Sequence, residues 1–306
     1  MKGLERAVRD YLDLRRSLGF KLRWAPGALS SFVSFLKQKG ADYITVPMAV
    51  QWAQQNQDSK PATVNRRLNY VRGFARYRSA TDPRTQIPPW GLVRFRPRRA
   101  APYLYRDEEV ERLLEAAKQM PGLHGHTYYR LLGLLAVTGL RVNEALSLRV
   151  QDVDLERGVL TIVGAKFGKS RLVPIHSSTQ EELAKYAHER DRAFRHNLTY
   201  FFVTRGGNRF QAGAVRRVFH RLSKQIGLRD LNATEGPRLH DFRHTFAVKT
   251  LVNWYRSGDR IEHSLHALST YLGHGNVSNT YWYLSACPEL LGLAVNRLEH
   301  HWEGRR

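Results

Sequence analysis

The 306-residue sequence is poor in cysteine, in acid and in long apolar runs, and each shortage removes a class of protein. One cysteine, Cys287, leaves no disulfide framework and no cysteine-built zinc finger, and it fits a reducing cytoplasm. The longest apolar run, Leu131 to Val137, is far short of the about 20 residues that cross a bilayer. The N-terminus, M-K-G-L-E-R-A-V-R-D, is charged and has no apolar h-region, so no signal peptide is expected. There is no internal repeat and no low-complexity tract. Acids are scarce: 27 Asp and Glu face 49 Lys and Arg, a net charge of +22. The surplus is uneven, since residues 1–100 hold 20 bases and 6 acids, or +14 of the +22. A polyanion, most simply nucleic acid, is the expected partner. The plainer alternative is a basic surface kept for solubility.

What is present begins with short helices. Leu4, Val8, Tyr11 and Leu12 share one helical face, and Leu29, Phe32, Val33 and Leu36 repeat the pattern. Thr45 and Pro47 start a third helix, and a fourth begins near Pro61. The apolar side of the fourth is Val64, Leu68, Val71 and Ala75. Its other side carries Asn65, Asn69, Arg72 and Arg76, with Arg66 and Arg67 nearby. Arginine and asparagine there offer the donor pairs that match base edges in a major groove. An ordinary solvated helix would look the same.

Residues 82–102 are dominated by Pro and Arg and keep no period, which reads as a linker between domains 1–81 and 103–306. Arg94, Arg96, Arg98 and Arg99 would make it a basic strap along a phosphate backbone. The second domain opens with acids in a helical first turn, Asp107-Glu108-Glu109. A very apolar helix then breaks at Thr138-Gly139. The clear β signal is a hairpin of Val159–Val163 and Arg171–Ile175 with lysines at its tip. Helices at roughly Gln180–Phe194 and Ala212–Ile226 follow, separated by a short strand at Tyr200–Val203, and a helical tail runs from about residue 288. The expected fold is mainly α with a small β-sheet.

The residues with chemical potential lie at four separated places. Arg141 follows Thr138-Gly139-Leu140, and Lys166 sits on the hairpin. His240 and Arg243 sit in H-D-F-R-H, and His274 and Tyr283 in L-G-H-G-N-V-S-N-T-Y-W-Y. A phosphodiester needs guanidinium forks for its non-bridging oxygens, a nucleophile such as Tyr, and an acid for the leaving oxygen. Tyr281 is a second candidate nucleophile. His240 and His244 are spaced like a zinc pair on a helix, but the glutamate of H-E-x-x-H is missing, so no metal is expected.

These segments, T-G-L-R-V-N-E-A-L-S-L, G-A-K-F-G-K-S-R-L-V-P-I, H-D-F-R-H-T-F-A and L-G-H with Tyr283 beyond it, resemble the tyrosine recombinase (phage-integrase-like) family. The resemblance covers most of the chain. It implies a two-domain DNA clamp, with a helical core-binding domain and an α+β catalytic domain of the DNA breaking-rejoining type. It implies that Arg141 and Arg243 clamp the scissile phosphate, Lys166 is the general acid, and His240 assists proton transfer from tyrosine. His274 would bond a non-bridging oxygen and Glu144 would support the site from behind. Tyr283 would attack to give a 3′-phosphotyrosyl link, with no cofactor. Lys169 and Arg171 read as phosphate contacts or solvated charges. The implied partners are double-stranded DNA with inverted repeats and three further copies of the chain, joined through a Holliday junction. Leu290, Leu291, Leu293, Ala294 and Leu298 of the tail would dock on a neighbour, the alternative being packing on their own domain. The loop after His244 is longer than in the simplest members, which suggests a mobile-element recombinase in the bacterial cytoplasm, associated with the nucleoid. The rival functions are a type IB topoisomerase and an architectural DNA-binding factor without catalysis.

Overall fold

Apolar residues at helical spacing dictate most of the architecture. The structure is a computed structural model, which describes residues 2–56, 59–94, 101–164, 170–194, 197–233, 235–257 and 261–303. The chain divides into two units, Met1–Arg99 and Ala100–Arg306.

The first unit contains α1 (Lys2–Ser17), α2 (Ala25–Gln38), α3 (Val46–Ala53) and α4 (Pro61–Arg78). Leu29, Phe32 and Leu36 of α2 close on Trp52 of α3 and on Leu68, Val71 and Phe74 of α4, all fully buried. Thr45 caps α3 by accepting the Met48 amide proton, which starts the helix where the sequence places it.

Two expectations are corrected here. Arg72 is not a DNA contact: it is 3% exposed. Its Nε donates to the Pro88 carbonyl at 2.7 Å and its Nη2 to the Pro89 carbonyl at 2.8 Å, while Trp90 covers its guanidinium at 3.9 Å. Nor does a free linker begin at residue 82. Asp82 accepts from Arg84, the Gln86 amide donates to the Ile44 carbonyl at 2.8 Å, and Val93 packs on the helical core. The physical reason is shared. Segment 82–93 folds back over the edge of α4, and its proline carbonyls need donors that Arg72 supplies. Arg66, Arg76 and Arg94 are exposed. Arg67 is half-buried, donating to the Ala53 carbonyl and lying over the Trp52 ring. Arg96, Arg98 and Arg99 lie outside the described residues.

In the second unit, α5 (Asp107–Lys118), α6 (Gly122–Thr138) and the single-turn α7 (Val142–Ala145) lead to an antiparallel sheet of β1 (Val153–Asp154), β2 (Val159–Ile162) and β3 (Arg171–Pro174). Register pairs Val159 with Pro174 and Ile162 with Arg171. The hairpin tip, with Lys166 and Lys169, lies outside the described residues. Beyond it come α8 (Ser177–Ala193), α9 (Ala212–Gln225), α10 (Asp241–Ser257), α11 (Ile261–Leu272), α12 (Ser278–Ala286) and α13 (Pro288–Glu303). Tyr200 and Val203 make only isolated bridges, so the strand expected there does not form.

One core gathers α5, α6, α8, α9 and the sheet around Leu131, Leu135, Tyr186 and Phe219. A second joins α10–α13 around Leu251, Leu268, Tyr283 and Leu290. The tail helix packs Leu290 and Leu293 on its own unit. Leu291 and Val295 stay exposed, and the Leu298 side chain lies outside the described residues. No described helix is long and apolar enough to cross a membrane.

Candidate active site

The site is assembled at one turn. Helix α11 ends at Leu272, and Gly273 follows at φ +64°, a conformation glycine adopts without strain. A Cβ at 273 would meet the Arg171 guanidinium at 2.9 Å, so side-chain loss also makes room. Arg141 donates to the Leu272 carbonyl at 3.3 Å and to the Gly273 carbonyl at 2.9 Å. Arg243 donates to the same Leu272 carbonyl and to the Gly139 carbonyl at 2.9 Å. Gly139, at φ +59°, closes α6, and a Cβ there would meet Phe246 at 2.7 Å. That close approach lets the α6–α7 turn carrying Arg141 sit against α10, which carries Arg243.

Arg243 is 2% exposed. Burial, and then the charge of Arg141, push its pKa down to about 10, so it is still a cation at neutral pH. Glu144 accepts from the Arg141 amide at 3.0 Å and its Nη1 at 2.7 Å. It also takes both ends of the Arg171 fork, at 3.2 and 2.8 Å. Burial raises the Glu144 pKa, but Arg171 and Arg141 outweigh it and hold the carboxyl below its ordinary value. Arg171 further donates to the Tyr271 carbonyl at 2.6 Å. Its reading as a DNA contact or a solvated charge is therefore withdrawn. A bidentate carboxylate and a carbonyl occupy its donors at the root of the hairpin, where it is nearly buried.

His274 follows the turn, with its Nδ1 at 2.7 Å from the Thr280 hydroxyl. If that hydroxyl donates, the imidazole proton stays on Nε2, free to meet an anion. Burial, then Arg243 and Arg141, lower its pKa to about 3. His240 is exposed on a cleft of about 1000 Å³ that Arg141, Arg216 and Arg238 also line. Crowding around its ring and the charge of Arg243 lower its pKa too, and its exposure makes that burial partial.

Tyr283 is 2% exposed, and its ring lies 6.3 Å from the His274 ring. Tyr281 is 48% exposed, so of the two candidate tyrosines it is Tyr283 that faces the histidines. The Tyr283 hydroxyl is 3.1 Å from Nδ1 of His244. Sequence reasoning gave His244 no role in the chemistry and passed over Thr280. The helical spacing of His244 from His240 was visible, but nothing in the sequence showed which residue α12 would bring to it. Lys166 lies outside the described residues. The arrangement as a whole holds two fixed cations, two half-buried neutral imidazoles and a phenol, a setting suited to an oxyanion.

The imidazoles set a pH dependence. Because the folded state holds His274 and His244 neutral, it binds fewer protons than the unfolded chain. The stability they carry is complete above the ordinary value of 6.5 and is lost as pH falls toward about 3 for His274. Urea midpoints measured across that window are expected to fall with pH, and His274→Asn to flatten the slope. An unchanged slope in that variant would contradict the assignment.

Residues 104–289 match the model of the phage integrase family. A protein named as integrase/recombinase y4rB of Sinorhizobium fredii is 49% identical over 313 residues, covering 100% of both chains. The tyrosine recombinase XerD of Ralstonia nicotianae is 27% identical, covering 97% of this chain and 90% of its own. Among solved structures, the Tn1549 transposon integrase in complex with transposon right end DNA aligns with a TM-score of 0.69 at 17% identity. That alignment covers 96% of this chain and 98% of the other, and at such identity it speaks for the fold.

Proposed function

The chain belongs to the phage integrase family, and from that premise we propose a tyrosine-type site-specific DNA recombinase that serves a mobile element. The observation that carries the reading is the meeting of Arg141 and Arg243 on the Leu272 carbonyl, beside His274 and Tyr283. Two guanidiniums held this way match the two non-bridging oxygens of a phosphodiester. Tyr283 attacks phosphorus as His240 assists removal of its phenolic proton, the bond to the 5′ oxygen breaks, and a 3′-phosphotyrosyl link forms. Arg141 and Arg243 neutralise the charge that builds on the phosphoryl oxygens, and His274 donates to one of them. Lys166 protonates the leaving 5′ oxygen. The 5′ hydroxyl of a second duplex then reverses the step, so joining needs no outside energy.

Arg66, Arg67, Arg76 and Arg94, with Arg96, Arg98, Arg99 and Lys169, contact the DNA backbone in this reading. Four copies work on two paired inverted-repeat sites through a Holliday junction, on cytoplasmic DNA of the nucleoid. Trapping on a nicked suicide duplex built from the element's end tests it. The expected result is a covalent complex whose linked peptide contains Tyr283, with joining of two duplexes at one sequence. Linkage through Tyr281, or relaxation of plasmid without site preference, would overturn it.

A further inference from the structure

We propose that His244, and not only His240, serves the nucleophile: it positions Tyr283 and takes up the phenolic proton as the tyrosine attacks. This rests on the reading of Tyr283 as the nucleophile. Nδ1 of His244 lies 3.1 Å from the Tyr283 hydroxyl, within direct proton-transfer reach. The two histidines divide the site. His240 is exposed on the cleft, whereas His244 is half-buried and turned toward α12. Its ring meets His240 edge-on at 4.7 Å, Trp282 at 5.5 Å and Tyr283 at 5.6 Å. Those neighbours fix the plane of the imidazole and so the direction of the Nδ1 lone pair.

His244 is also in the right protonation state. Burial, and then the neighbouring His240, lower its pKa to about 4, so at neutral pH it is an uncharged ring. In the Nε2–H tautomer its Nδ1 can only accept. A charged His244 would donate to the phenol oxygen and block its lone pair. A weak base of this kind does not ionise tyrosine in the resting site. It takes the proton only as the oxygen–phosphorus bond forms. Atoms balance as follows: Oη bonds to phosphorus, the phosphorus–O5′ bond breaks, the phenolic proton moves to Nδ1, and the leaving oxygen receives its proton from the general acid.

The full chain on a suicide duplex, in single turnover, tests the proposal. His244→Phe keeps the packed ring and loses the acceptor. Its covalent complex should form about 100-fold more slowly or worse, with DNA binding unchanged and the melting temperature lowered by a few degrees at most, for the one hydrogen bond lost. His244→Asn places an amide oxygen near the former Nδ1; it keeps the hydrogen bond to the phenol but is too weak a base to hold the proton, so it should stay nearly as slow as His244→Phe. If His244→Phe does not fold, His244→Gln, whose amide falls near Nε2 instead, replaces it with the same expectation. Sulfur in place of the bridging 5′ oxygen leaves without a proton. It should rescue Lys166→Ala and leave His244→Phe as slow as before. Wild-type cleavage by His244→Phe or by His244→Asn, or rescue of either by sulfur, would each overturn the proposal. The underlying reading fails differently: the wild type itself would give no adduct, or one on another residue.

Discussion

Tyr283→Phe is expected to bind DNA as the wild type does and to form no covalent complex. The hydroxyl is the one atom removed. The ring stays packed among His244, His274 and Trp282, so the core of α10–α13 is kept. One hydrogen bond, to His244, is lost from the folded state, a cost of about 1 kcal/mol. The chemical cost is far larger, because no other group in the site can form the intermediate. Loss of a nucleophile lowers turnover on the order of 10⁶-fold. Gel-shift affinity and suicide-substrate trapping, measured on the same preparation, separate the two effects. Residual covalent complex above about one part in 10⁴ would mean that a second residue, with Tyr281 the nearest in sequence, is competent.

The second large effect is at Arg243, and here stability and catalysis fall together. Its guanidinium supplies the donors for the Gly139 and Leu272 carbonyls, and it is almost wholly buried. Arg243→Ala removes both bonds and opens a cavity at the junction of α6, α10 and α11. A destabilisation of about 2–4 kcal/mol is expected, read as a lower urea midpoint. Cleavage should fall about 10³- to 10⁵-fold, the range seen when an arginine is withdrawn from a phosphoryl-transfer transition state. Arg243→Lys should recover little. A single ammonium cannot bridge two carbonyls and also face an oxyanion, whereas the planar fork does so with separate N–H groups. Cleavage by Arg243→Lys within tenfold of wild type would show that charge alone matters at this position, and not the fork.

Much of the molecule is legible in its sequence. Apolar spacing placed α1, α2 and α4, acids in the first turn placed α5, and Thr45 announced the start of α3. Gly139 ended α6, and the alternation around the lysine tip gave the β2–β3 hairpin. The segments that bring Arg141, Arg243, His274 and Tyr283 together were recognisable individually. Misreadings clustered among arginines. Arg72 and Arg171 looked like contacts for DNA, and each proved to be held inside by the protein's own oxygens. A guanidinium suits a phosphate, a carboxylate and a backbone carbonyl alike, so residue type does not say which one it meets. The tail helix was ambiguous for a related reason. Leu290 was an apolar position in need of a partner, and the sequence could not say that α10 and α12 of the same unit would provide it.

The sequence by itself determined the basic charge, the mainly helical class and the four segments that hold the candidate chemical residues, because charge and periodicity are properties of the local chain. Only the tertiary structure decided which donors stay free for a substrate. Segment 82–93 covers one edge of α4 and takes Arg72. Glu144 takes Arg171. The turn after α11 gathers Arg141 and Arg243, and α12 carries Tyr283 to His244. Each of these outcomes depends on which distant oxygen or ring arrives first at a given donor, and helical spacing records a residue's own face without recording what will be packed against it.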